Sequence, residues 1–178
     1  MGLRAALDHP GSVRRLPVLD AVPIAEALDR CDAGFAQAWW HWFFYAQPDR
    51  PERAIDADPD AWYGNTPEKR QRMGEAACAD YRSAIGDPAT VHAMLEDYRA
   101  GLGIDRAHDE ADRRAGRRVA CGPAAVGRDD DLQRLYGDPL AVWRAWADDL
   151  RGHAMPCGHH MAEELPERLA RELLDFLA

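Results

Sequence analysis

Val13-Arg14-Arg15-Leu16-Pro17-Val18-Leu19-Asp20 is the stretch on which the fold class turns. Its short apolar run reads as a strand that ends on an acid. Upstream, Leu3, Ala6 and Leu7 share one helical face, which His9-Pro10-Gly11 breaks. A helix, a break, a strand and then an acid is an α/β arrangement. In open α/β sheets ligands bind beyond the carboxyl ends of the strands, so Asp20 becomes a candidate site residue.

Downstream of Asp20 the strand character stops. From Val22 to Gly116 the periodicity is helical: Pro23 suits a first turn before Ile24, Ala27 and Leu28, and Phe35 to Tyr45 is aromatic almost all round. A helix apolar on every side is buried on several. Glu68 to Ile85 and Ala89 to Leu102 read as two further helices, separated at Asp87-Pro88, with Gly101 and Gly103 closing the second. From Arg117 onward α/β character returns. Leu140, Val142, Trp143, Trp146 and Leu150 make a helical face, and Glu163 to Leu177 reads as an amphipathic C-terminal helix with Leu165, Leu169, Leu173 and Leu177 four apart. The weak point is Val119 to Asp131, where a strand is needed but Gly122 and Pro123 stand in place of β-branched residues. The expected organisation is a core segment over 1–21, a helical cap over 22–116 and a second core segment over 117–178.

Composition narrows the function. The 178 residues carry 22 Lys and Arg against 31 Asp and Glu, a net charge of −9, which argues against a nucleic-acid partner because phosphates call for a basic stripe. No run reaches the roughly 20 apolar residues of a membrane span, and Met1 to Pro10 lacks the apolar region of a signal peptide. A cytoplasmic protein without a membrane partner is expected. Cys31, Cys78, Cys121 and Cys157 are scattered without metal-ligand spacing, and read as buried, reduced thiols. His108, Asp109 and Asp112 are grouped too loosely for a metal, so neither metal nor cofactor is expected.

Three places could carry chemistry. His159 follows Gly158 before a helix, where a hydrolase keeps its base, and a carboxylate on its other ring nitrogen would fix the tautomer. Asp20 is the first choice of partner and Asp129, Asp130 or Asp131 the second; a plain surface-loop histidine is an even alternative. Trp40, His41 and Trp42 place an imidazole and two indoles on one aromatic segment. Their N–H groups need acceptors, and an anion would serve, although a satisfied core histidine is the commoner arrangement. Tyr98 could add a phenolic donor or simply pack between helices.

Taken in order, Leu7-Asp8-His9-Pro10, Val13 to Asp20, Trp40-His41-Trp42-Phe43-Phe44-Tyr45-Ala46-Gln47-Pro48, Asp87-Pro88-Ala89-Thr90-Val91-His92-Ala93-Met94, Glu96-Asp97-Tyr98-Arg99-Ala100 and Gly158-His159-His160-Met161-Ala162-Glu163-Glu164 resemble the haloacetate (fluoroacetate) dehalogenases of the α/β-hydrolase superfamily. The resemblance implies an α/β-hydrolase core with an inserted helical cap, a small haloacid substrate, no cofactor and a homodimer. It implies a two-step reaction: an aspartate displaces the halide to form an ester, and a histidine-activated water hydrolyses that ester to the 2-hydroxy acid. His159 matches the base and Asp20 its acid partner. His41, Trp42 and Tyr98 match the halide donors, which act most strongly as charge develops on the leaving halogen.

The chain departs from the pattern in two places. The family's nucleophile lies on a Gly-His-Asp-Arg-Gly elbow just before the segment matched by Met1, so the core is expected to be incomplete and truncated at its N-terminus, and the chain inactive alone. The second departure is Gly122 to Val126. Two other readings stand beside the dehalogenase: a non-catalytic remnant or partner-dependent subunit, and an ester or epoxide hydrolase of the same superfamily.

Overall fold

A computed structural model describes residues 2–63, 66–119, 123–128 and 131–178. The chain forms two compact units, Met1–Cys31 with Ala107–Ala178, and Asp32–Arg106.

The first unit begins with helix α1 (Gly2–Asp8) and strand β1 (Leu16–Leu19), as the apolar pattern predicts. Helix α2 (Ile24–Asp29) follows Pro23. Three parallel strands form the sheet in the order β1, β2 (Pro123–Arg128), β3 (Arg151–Met155). Leu16 lies opposite Pro123 and Leu19 opposite Val126, while Ala124 pairs with Arg151 and Arg128 with Met155. The doubtful segment is therefore the central strand. Pro123 occupies its first position, the one place in a sheet interior where a residue without an N–H is tolerated. Gly122 and Cys121 lie outside the described residues.

The core of this unit gathers Ala6, Leu7, Val119, Trp143, Trp146 and Ala147, with Leu16, Val18 and Leu140 packed against it. Buried indoles need acceptors. Trp143 donates to the Ala21 carbonyl at 2.8 Å and Trp146 to Glu26 Oε1 at 3.1 Å. Glu26 is itself buried and also accepts from Arg30 at 2.7 Å and Arg113 at 3.3 Å. A second cluster, Met155, Met161 and Leu169, lies beneath the C-terminal helix.

The other unit is helical: α3 (Ala33–Ala38), α4 (Trp40–Tyr45), α5 (Arg50–Ala57), α6 (Pro59–Tyr63), α7 (Pro67–Met73), α8 (Glu75–Ile85) and α9 (Pro88–Ala100). Its core is Tyr45, Ile55, Val91 and Leu95, flanked by Phe44, Trp62, Met94 and Tyr98. Side chains of Asp32, Thr66 and Asp87 cap helix starts by accepting the backbone N–H of Phe35, Lys69 and Ala89. Three expected helix boundaries differ. The aromatic helix is cut at Trp39, which leaves helical geometry at φ −120° and ψ 38°. The helix expected over Glu68 to Ile85 is cut at Gly74, whose φ of +82° is open to glycine. Gly101 and Gly103 do not close α9: Gly101 stays right-handed at φ −57° and ψ −46°, and the chain runs through a π-helical turn (Gly101–Asp105) into α10 (Arg106–Arg114). A glycine ends a helix by adopting the left-handed conformation, which this one does not.

After β2 come α11 (Asp131–Tyr136) and α12 (Pro139–Arg144); after β3 come α13 (Met161–Glu164) and α14 (Pro166–Leu177). The expected single C-terminal helix is thus broken at Leu165, pushed out of helical geometry to φ −136° by the proline after it. Among the described residues, no helix is long and apolar enough to cross a membrane. Cys31 is exposed, contrary to expectation, because it follows α2 at the end of the unit; Cys78 is buried and Cys157 half-buried. Cys121 lies outside the described residues.

Candidate active site

Asp20 is the first residue past β1 and His159 sits in the loop after β3, so the parallel sheet carries both to the same, carboxyl-terminal end of the strands. His159 Nδ1 stands 2.5 Å from Asp20 Oδ2, a contact between residues 139 apart in sequence. The Asp20 side chain is only 3% exposed, whereas that of His159 is 64% exposed. The pair is therefore polarised. A buried carboxylate beside Nδ1 favours the ring proton on that nitrogen, which is the tautomer a water-activating imidazole requires. Asp20 has a φ of 47°, in the left-handed region where aspartate is among the few residues tolerated. That sharp turn at the strand end directs the carboxylate into the structure. Of the alternative acids, Asp129 and Asp130 lie outside the described residues and Asp131 begins α11.

The loop itself is held by a residue the sequence reading did not single out. The Gly158 backbone N–H donates to Glu164 Oε2 at 2.8 Å. The sequence signal available was slight: an acid two residues before Pro166, at the end of a short helix.

In the helical unit, the His41 ring meets Tyr98 edge-on at 6.3 Å between centroids and Tyr45 at 5.6 Å, with Tyr45 and Tyr98 5.1 Å apart. Trp42, one residue on and so rotated by roughly 100° about the helix, joins a different set of rings. It stacks on Trp39 at 5.2 Å and meets Phe35 edge-on at 5.6 Å. Burial pushes the Tyr98 hydroxyl up to about 12, with Tyr45, Tyr81 and Asp97 adding to the shift, so the phenol stays protonated and remains a donor at neutral pH. Of the loose acidic group, Asp112 accepts from Arg117 at 2.6 Å and Asp109 from the Ala25 N–H at 3.4 Å, which ties α10 to its own unit. Among the described residues, no cluster of three or more His, Cys, Asp or Glu side chains could hold a metal ion.

No protein-family model matches the chain. A Nostoc structure assigned as an α/β hydrolase superposes with a TM-score of 0.89 at 36% identity, covering 99% of this chain and 62% of that one. The chain has the α/β-hydrolase fold, with an incomplete core. A Pseudomonas aeruginosa structure assigned as an epoxide hydrolase gives a TM-score of 0.88 at 38% identity, over 99% of this chain and 60% of that one. The fluoroacetate dehalogenase of a Burkholderia species is 35% identical over 191 residues, 99% of this chain and 60% of that enzyme. The resemblance drawn from the motifs thus extends along 99% of this chain, which spans 60–62% of the length of these relatives.

Proposed function

We propose that the chain carries the water-activating pair and the halide donors of a haloacetate dehalogenase. The observation that carries this reading is the 2.5 Å contact between His159 Nδ1 and Asp20 Oδ2 at the carboxyl end of the sheet. In this reading His159 Nε2 takes a proton from water, the hydroxide attacks the carbonyl carbon of an aspartyl ester, the ester C–O bond breaks, and the imidazolium returns the proton to the departing alkoxide, which leaves as the 2-hydroxy acid. Asp20 stabilises the imidazolium formed in that step. His41, Trp42 and Tyr98 offer two ring N–H groups and a phenolic O–H to the departing halide, and the helical unit acts as the cap. Support comes from the protonated state of Tyr98, its edge-on contact with His41 and the 35% identity to the Burkholderia enzyme. The nucleophile of that family matches none of the 178 residues.

Purified chain is expected to release no fluoride from fluoroacetate. Joined to the part of the Burkholderia enzyme that lies outside the matched region, it is expected to release fluoride in proportion to enzyme. In that chimera His159→Asn should slow turnover by about 10²–10⁴-fold and leave the ester trapped on the protein, visible by mass spectrometry. The P. aeruginosa neighbour supports a second reading, an epoxide hydrolase. A chimera that opens epoxides but releases no halide from any haloacetate would decide for that second reading.

A further inference from the structure

His159 is held by its bond to Asp20 and by an edge-on contact with the His160 ring at 5.7 Å. Its side chain is mostly exposed, and its partner Asp20 follows β1, with β2 lying between that strand and β3. The loop around it is nevertheless fixed on both sides. Before it, Cys157 donates its N–H to the Met155 carbonyl at 2.9 Å and packs against the Met155, Met161 and Leu169 cluster. After it, the His160 carbonyl accepts the N–H groups of Glu163 at 3.1 Å and Glu164 at 2.9 Å. Between these anchors, the Gly158 N–H donates to Glu164 Oε2 at 2.8 Å. It is a charge-assisted bond in a close fit: a Cβ on Gly158 would lie 2.5 Å from Glu164 Oε1 and 3.2 Å from its Cδ. The glycine and the glutamate are matched to each other, since a side chain at 158 would displace the carboxylate and a missing carboxylate would leave the N–H unpaired.

We propose that Glu164 is a positioning residue, which clamps the loop through Gly158 so that His159 presents Nδ1 to Asp20 and Nε2 outward. It acts through the backbone and not on substrate. The inference rests on the relay reading above and adds to it the group that sets the imidazole's direction, as outer hydrogen bonds do for other functional histidines.

The readout is the tautomer of neutral His159, measured by two-bond nitrogen–proton correlations to its non-exchanging ring protons in the purified 178-residue chain. Wild type is expected in the Nδ1–H form, and Asp20→Ala should abolish that preference. Glu164→Ala should invert the ratio toward the Nε2–H form that a free imidazole prefers. Glu164→Gln, which keeps an acceptor oxygen, should restore the wild-type ratio. Gly158→Ala should reproduce Glu164→Ala with the carboxylate still present. His153, whose Nε2 lies 3.2 Å from Glu172 in the same unit, is the internal reference for folding. An Nδ1–H preference in wild type that persists in both Glu164→Ala and Gly158→Ala overturns the clamp and leaves the relay standing. Where Glu164→Ala also disturbs His153, Gly158→Ala decides by the same criterion. A wild type already in the Nε2–H form overturns the relay reading and the clamp together.

Discussion

At Glu26 three groups, Arg30, Trp146 and Arg113, converge on one buried carboxylate. Burial by itself would push its pKa up, but the hydrogen bonds from Arg30, Trp146 and Arg113 outweigh that and hold it below the ordinary glutamate value of 4.5. A carboxyl lowered in the folded state contributes stability that is complete above the unfolded value and is lost as pH falls through the folded one. Glu26→Gln is therefore expected to lower stability at neutral pH by about 1–3 kcal/mol. The gap between variant and wild type in urea unfolding should then close as pH drops below 4.5. A gap that stays constant across that interval would show that the network holds by packing and not by charge. Legibility at this scale was uneven. Asp20 was readable because an acid after an apolar strand has a place in α/β sheets. Gly158-His159 was weak alone, since nothing local reports a contact 139 residues away. Glu26 and Glu164 were invisible as partners for the same reason: their roles arise from long-range packing around a Trp and a glycine.

Elements were easier to find than their ends. Helical periodicity marks α8, α9 and α14 because the apolar stripe extends over several turns, but each discrepancy falls on one residue: Trp39, Gly74, Gly101 or Leu165. A periodic pattern averages over such a position. Strand β2 shows the opposite failing, since its composition argues against a strand while pairing on both sides imposes one. Along α14 the leucines are unequally buried. Leu169 is 4% exposed within the Met155 and Met161 cluster, whereas Leu174 is 69% exposed. Leu169→Ala should cost about 2–5 kcal/mol, the sum of lost transfer energy and a residual cavity, and Leu174→Ala should change stability by no more than about 0.5 kcal/mol. Equal losses in chemical denaturation would mean that α14 packs through a different face.

Across the whole molecule, each unit has its own apolar core, and the chain carries a net charge of −9. That charge opposes association at neutral pH. Several large apolar side chains are nonetheless exposed: Leu19 at the end of β1, Trp40 at the start of α4, and Leu174 and Leu177 on α14. Among the described residues, β1 pairs with β2 alone, so its other edge presents backbone groups suited to strand addition. Electrostatic repulsion and apolar attraction therefore compete, and pH sets the balance. As pH falls from neutral toward the isoelectric point of about 5.2, carboxylates and histidines take up protons and the repulsion vanishes, while the apolar area is unchanged. Light scattering at fixed concentration is expected to rise to a maximum near pH 5.2 and fall again below it as the net charge turns positive, until acid unfolding exposes the cores. Substituting Leu174 and Leu177 with glutamate should lower that maximum by more than the added charge alone accounts for, because it also removes apolar contact area. A scattering profile that is flat through pH 5.2 would show that the exposed leucines do not drive association.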